Sequence, residues 1–172
     1  MAQNKFYGTT SDKWISRIIR TATLGSHVSH VGCVFKDAWS SNPILASAHW
    51  RDGFHLRKVA DELPSLHWTW ATLTVSIDDA HKHHDWIDQQ LGKKYDFSGL
   101  SHMLGDAIQG WNRERGWPGV WFCAAVMLQS LIEIGKLRPT DKPDPLRAIT
   151  PDTFMWILYT LGATFEQWTP PQ

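Results

Sequence analysis

Cys123 stands in the run Trp121-Phe122-Cys123-Ala124-Ala125-Val126, which reads as the opening turn of a helix over residues 121–134. A thiol there has free backbone N–H groups and the positive helix end beside it. Both stabilise a thiolate, and the same N–H groups can receive the oxyanion formed when sulfur attacks a carbonyl. A packed structural cysteine is nevertheless the commoner fate of Cys in an apolar segment, and position alone favours it. Cys33 is the internal contrast. It falls mid-strand, three residues after His30, so the two point to opposite faces and Cys33 reads as packing.

The nine histidines are less patterned. His27 and His30 lie in Ser-His-Val-Ser-His-Val-Gly at a strand start, on opposite faces by the period of two. His81, His83 and His84 fall on a helix near Asp85 and Asp88, without the His-Glu-x-x-His or Cys-x-x-Cys spacing of a strong metal site. A solvated helix face is the expectation for them. No cofactor or metal is expected.

The elements that must position these groups follow from periodicity. Residues 11–22 form a first helix, with Trp14/Ile18 and Ile15/Ile19 as i,i+4 apolar pairs and Gly25 as its stop. The pattern then alternates, giving strands at 27–35, 44–50, 53–59 and 67–75, with Arg51-Asp52-Gly53 a tight turn. Connections this short predict an antiparallel meander. Asp78 caps a second helix that stops at Leu91-Gly92, and residues 97–108 are a third. A Gly-, Trp- and Pro-rich loop spans 110–120. The helix over 121–134 is apolar on most faces and should be buried and central, closed by Gly135. A Pro-containing loop covers 137–146, Thr150-Pro151-Asp152 starts a helix that runs to Leu161-Gly162, and 164–168 is a last short strand. The class is α+β, a single domain over residues 1–172.

Seventeen basic and seventeen acidic side chains cancel without forming a basic stripe, so nucleic acid is not an expected partner. The opening MAQNKFYGTT lacks the apolar core of a secretory signal, and no stretch is long enough to span a membrane; the expectation is cytoplasmic synthesis. Two distant cysteines exclude a disulfide framework. Eleven tryptophans read as packing groups, with aromatic platforms beside a cleft as the other use. Nothing in the pattern sets the oligomeric state.

The order of short motifs resembles the circularly permuted branch of the NlpC/P60 papain-like superfamily, the YiiX/YaeF-type amidases and related phage proteins. An amphipathic helix leads into Ser29-His30-Val31-Gly32. A strand Leu45-Ala46-Ser47-Ala48 follows, with Gly53 shortly after, then Leu91-Gly92-Lys93-Lys94-Tyr95-Asp96 and Trp121-Phe122-Cys123-Ala124-Ala125-Val126. Thr150-Pro151-Asp152 completes the set, which covers roughly residues 14–165.

The resemblance implies a papain-like fold, an antiparallel sheet against a central helix carrying the nucleophile. It implies Cys123 as nucleophile and His30 as general base, then acid to the leaving group. Catalysis needs only the spatial arrangement, so His may precede Cys in the chain. The family's histidine-orienting Glu aligns with Ser47, a weaker orienter; His49, two residues on along the same face, is the other candidate. Tyr95 matches the motif tyrosine and is read as packing near the cleft, with an oxyanion contact as the alternative. The implied function is a cysteine amidase or peptidase working through an acyl-thioester on peptide bonds of bacterial cell wall, in a phage or virion-associated setting. Two alternatives stand beside it: a lipid-directed acyl hydrolase or transferase of the same fold, and a catalytically inactive structural module of a phage particle.

Overall fold

The computed structural model describes residues 1–10, 17, 28–36, 43–49, 51–62, 67–94, 123–138 and 150–168. The helices expected over 11–22 and 97–108, the 110–120 loop, His27 and Tyr95 lie outside them. The described residues form an α+β structure with a six-stranded antiparallel sheet. Its strands are β1 (Ala2–Thr10), β2 (His30–Lys36), β3 (Ile44–His49), β4 (Gly53–Lys58), β5 (His67–Val75) and β6 (Thr164–Trp168). They lie side by side in the order β4-β3-β2-β1-β5-β6. Three helices, α1 (Ile77–Gln90), α2 (Cys123–Glu133) and α3 (Pro151–Thr160), accompany it, with a single helical turn at Val59–Glu62.

The sheet corrects the expected simple meander. β2, β3 and β4 do follow one another, but β5 pairs with β1 rather than with β4. The N-terminal strand, absent from the sequence reading, is the strand on which the others are organised. It runs antiparallel to β2 (Phe6↔Cys33, Thr9↔His30) and along its whole length to β5 (Ala2↔Val75 to Thr10↔His67). Its residues from Phe6 to Thr10 are all buried, so both faces are covered and the alternation that betrays a half-buried strand is missing.

Successive side chains divide between the faces. Phe6, Val31, Cys33, Ala46, Phe54 and Ala71 meet the helices, joining Ile87 of α1, Val126, Met127 and Leu131 of α2, and Phe154 and Leu158 of α3 in the main core. Phe6 lies at its heart, edge-on to Phe154 at 5.6 Å and to His83 at 5.5 Å. Burying a side chain of this size contributes on the order of 2–3 kcal/mol. Tyr7, Leu45, Trp68 and Trp70 make a second cluster on the opposite face.

The helix ends are fixed by local chemistry. Ser76, not Asp78, caps α1: its Oγ accepts the Asp79 N–H at 3.0 Å, and Asp78 falls in the first turn. Thr150 caps α3 by accepting the Thr153 N–H at 3.1 Å, with Pro151 at the first helical position, where no N–H is needed. Gly53 has φ +72, and a Cβ there would lie 2.2 Å from the Lys93 carbonyl, so only glycine lets β4 start against the end of α1. No helix among the described residues is long and apolar enough to cross a membrane.

Candidate functional site

His30, Thr9, His49, Gly53 and Trp68 lie at one end of the sheet, as the pairs Thr9↔His30, Thr9↔Trp68 and His49↔Gly53 require. The approach to His30 is tied down twice. The Ser29 N–H donates to the Thr9 carbonyl at 2.9 Å, and the Val28 N–H donates to Asp152 Oδ1 of α3 at 3.1 Å.

Extending the β2–β3 register from Cys33↔Ala46 puts His30 opposite His49, and the two rings stand 4.5 Å apart between centroids. Behind His49 lies Ser47, buried on the same face, its Oγ 2.8 Å from His49 Nε2. The two candidate orienters therefore form one row, in the order Ser47, His49, His30. On the other side of His30 the Tyr7 ring lies 6.0 Å away. Tyr7 reaches this place because Gly32 has no side chain: a Cβ there would come within 2.7 Å of the Tyr7 ring and 2.6 Å of the Ala46 carbonyl.

Cys123 is the first residue of α2, and its sulfur receives the backbone N–H of Val31, the residue after His30. Val31 and Cys123 share the helix-side core, whereas the His30 ring packs with Tyr7 and His49. The thiol therefore lies on the helix side of β2, against the backbone of Val31, and the His30 ring on its other face. Burial pushes the Cys123 thiol up to about 11, against the lowering effect of the N–H groups of Val31, Ala124 and Cys123 itself. This corrects the expectation of a thiol depressed by the helix end: the donors are present, but desolvation outweighs them. Cys33, with burial alone acting on it, rises to about 12.

His55, Arg57 and Asp52 extend the row and were not picked out from sequence. Alternation along β4 places His55 opposite Ser47, and its ring lies 5.0 Å from that of His49. His55 Nδ1 is 2.9 Å from the Gly53 carbonyl, which can only accept, so Nδ1 carries the proton. Nε2 then receives the Arg57 Nε–H, and the Arg57 guanidinium in turn pairs with Asp52. Desolvation, with His49 and Arg57 adding repulsion, outweighs the bond to the Gly53 carbonyl and lowers the His55 pKa. With both nitrogens engaged His55 is no metal ligand, and no three His, Cys, Asp or Glu among the described residues could hold an ion.

The α1 histidines depart from the solvated face expected of them. His81 and His84 are exposed, but His83 is 5% exposed and faces the core. Compared with known proteins, the chain matches no family model and no curated protein.

Proposed function

We propose that this chain is a cysteine amidase or peptidase of papain-like, permuted NlpC/P60 type, acting on peptide or amide bonds such as those of the bacterial cell wall. The observation that carries the reading is Cys123 at the first position of α2 with its sulfur against the N–H of Val31, next in sequence to His30. A thiol held at about 11 is protonated at neutral pH, so Cys123 starts uncharged. For this chemistry the His30 ring, packed with Tyr7 and His49 on the other face of β2, must turn towards the sulfur and take its proton as sulfur bonds to the carbonyl carbon. The oxygen takes the negative charge and is met by N–H groups of the first turn of α2. His30 then gives the proton to the departing amine, and water, deprotonated by His30, releases the acyl group from sulfur. His49, backed by Ser47, is the positioning residue for His30.

The burial of Cys123, 1% exposed, favours a second reading, a structural module in which the thiol only packs. Wild type and Cys123→Ser, assayed side by side on peptidoglycan fragments and on a short-chain lipid ester, separate the readings. The proposal expects amine release by wild type alone. Turnover of the ester only transfers the reading to lipid acyl chemistry, and no Cys123-dependent turnover of either substrate leaves the structural module.

A further inference from the structure

At the opposite end of the sheet a cavity of about 150 Å³ opens between the β1–β2 pair and α1, lined by Asn4, Cys33, Phe35, Lys36, His83 and Ile87 among others. A register shift between Val34 and Lys36 accompanies it, and Phe35 stacks on His84 of α1 at 4.1 Å. The volume is several times what one water needs and is of the order that admits a benzene-sized molecule.

Two polar atoms of the lining have no partner among the described residues. Asn4 is 9% exposed, and its Nδ2 has no acceptor among the described residues. His83 Nε2 lies 3.2 Å from Ser130 Oγ, and the single hydroxyl proton of Ser130 is donated to the Met127 carbonyl at 2.7 Å. His83 must therefore donate through Nε2. That leaves a lone pair on Nδ1, where no donor stands among the described residues. A buried amide N–H left unsatisfied, as at Asn4, costs on the order of 1–3 kcal/mol.

One donor and one acceptor together match a carboxyl group, whose carbonyl oxygen accepts while its O–H donates. A primary amide matches them too. The rim decides between these: Lys36 lies there, its Nζ 5.5 Å from the Phe35 ring centre, and no lining residue is acidic. Phe35, Ala80 and Ile87 supply walls for a short hydrocarbon chain.

We propose that this cavity binds a short aliphatic carboxylate together with one proton, the carboxyl group bridging Asn4 and His83 Nδ1 with Lys36 at the entrance. The site is separate from the cysteine chemistry and stands or falls without it. Burial keeps free His83 neutral, its pKa lowered to about 4, so the proton arrives with the ligand. The other titratable groups around it are His84 on α1, Lys5 on β1, and Cys33 and Lys36 on β2; α2 brings the neutral Ser130.

The test uses the full chain with butyrate and butyramide as probes, following the His83 ring signals by NMR and proton uptake by calorimetry. Butyrate should shift His83 and bind about tenfold more tightly for each pH unit from 7 to 5, as uptake of one proton requires. Butyramide should bind at least tenfold more weakly at pH 5, with no such dependence. Asn4→Leu removes an unpaired buried amide, so it should fold normally and lose at least tenfold in butyrate affinity; His83→Leu, which removes the acceptor of the carboxyl O–H, should lose the affinity gained at low pH. Equal binding of the two probes overturns the carboxylate assignment. An unmoved His83 at saturating probe, or binding untouched in Asn4→Leu, overturns the site.

Discussion

The two ends of the sheet each hold a buried cysteine near a histidine, yet their chemistry differs. At the His30 end, Cys123 opens a helix and meets three backbone N–H groups, while His30, His49 and His55 stand in a row on the other face. At the Asn4 end, Cys33 sits mid-strand with burial alone acting on its thiol, and His83 is locked by Ser130 in one tautomer. Burial raises both thiols. What distinguishes them is the set of donors, which a helix start supplies and a paired strand interior does not, its N–H groups being used in the ladder.

Replacing each cysteine in turn is the strongest way to break this comparison. Cys123→Ser should reduce amidase activity by at least about 10³-fold, as for loss of a nucleophile, while Cys33→Ser keeps it within a few-fold. Thermal unfolding should move by less than about 1 kcal/mol in Cys123→Ser, a near-isosteric change. Equal loss in the two variants would mean that the two ends are chemically alike.

The His83 end should govern acid stability. Its folded pKa of about 4 lies below the ordinary 6.5, so the stabilisation is complete above pH 6.5 and is lost as pH falls towards 4. The amount is about 3 kcal/mol. Urea unfolding of wild type and His83→Gln across pH 7 to 4 reads it: the wild-type slope should steepen below 6.5 and the variant's should not. A wild type whose stability is flat over that range would show His83 to be accessible to protons.

A smaller effect belongs to His49. If it positions His30, His49→Ala should lower kcat about 10- to 100-fold with KM little changed and displace the acid limb of the pH–rate profile; His49→Gln should recover part of the loss. Full activity in His49→Ala and in Ser47→Ala would mean that His30 needs no support from β3.

The smallest difference is in alkylation. Backbone N–H groups favour the Cys123 thiolate and none acts on Cys33, so at pH 6.5 iodoacetamide should label Cys123 faster than Cys33, as read by mass spectrometry. A ratio well above a hundred would sharpen the comparison, because it requires His30 to accept the thiol proton in the resting protein.

Where sequence signals were local, they led to the right elements. Val, Thr and Trp alternating at 67–75, and the bounded run at 164–168, have the limits of β5 and β6. Thr150-Pro151 marks the start of α3 because cap and proline act within one turn. β1 was illegible because it is covered on both faces and includes buried Asn4, Thr9 and Thr10, polar residues that a pattern reading assigns to the surface. In the site, the shared face of Ser47 and His49 followed from the period of two. The Ser47–His49 bond and the role of Gly32 depend on what the neighbouring strand presents, which no single segment encodes. The raised Cys123 thiol escaped for a similar reason: the helix start is visible in sequence, whereas the depth of burial is a property of the assembled core.

The hydrogen bond from Val28 to Asp152 spans 124 positions of chain, and it sits directly before the strand carrying His30. Together with the pairing of β1 to β5, it makes the native contacts strongly non-local, which slows folding because long loops must close before any contact rewards them. On a ribosome, β2 can find β1 early, but the anchor that holds its first residues is made more than a hundred residues later. Assembly of the His30 end therefore waits for α3. A nascent chain stalled before residue 150 should carry every histidine of the row and still lack the α3 clamp at Val28.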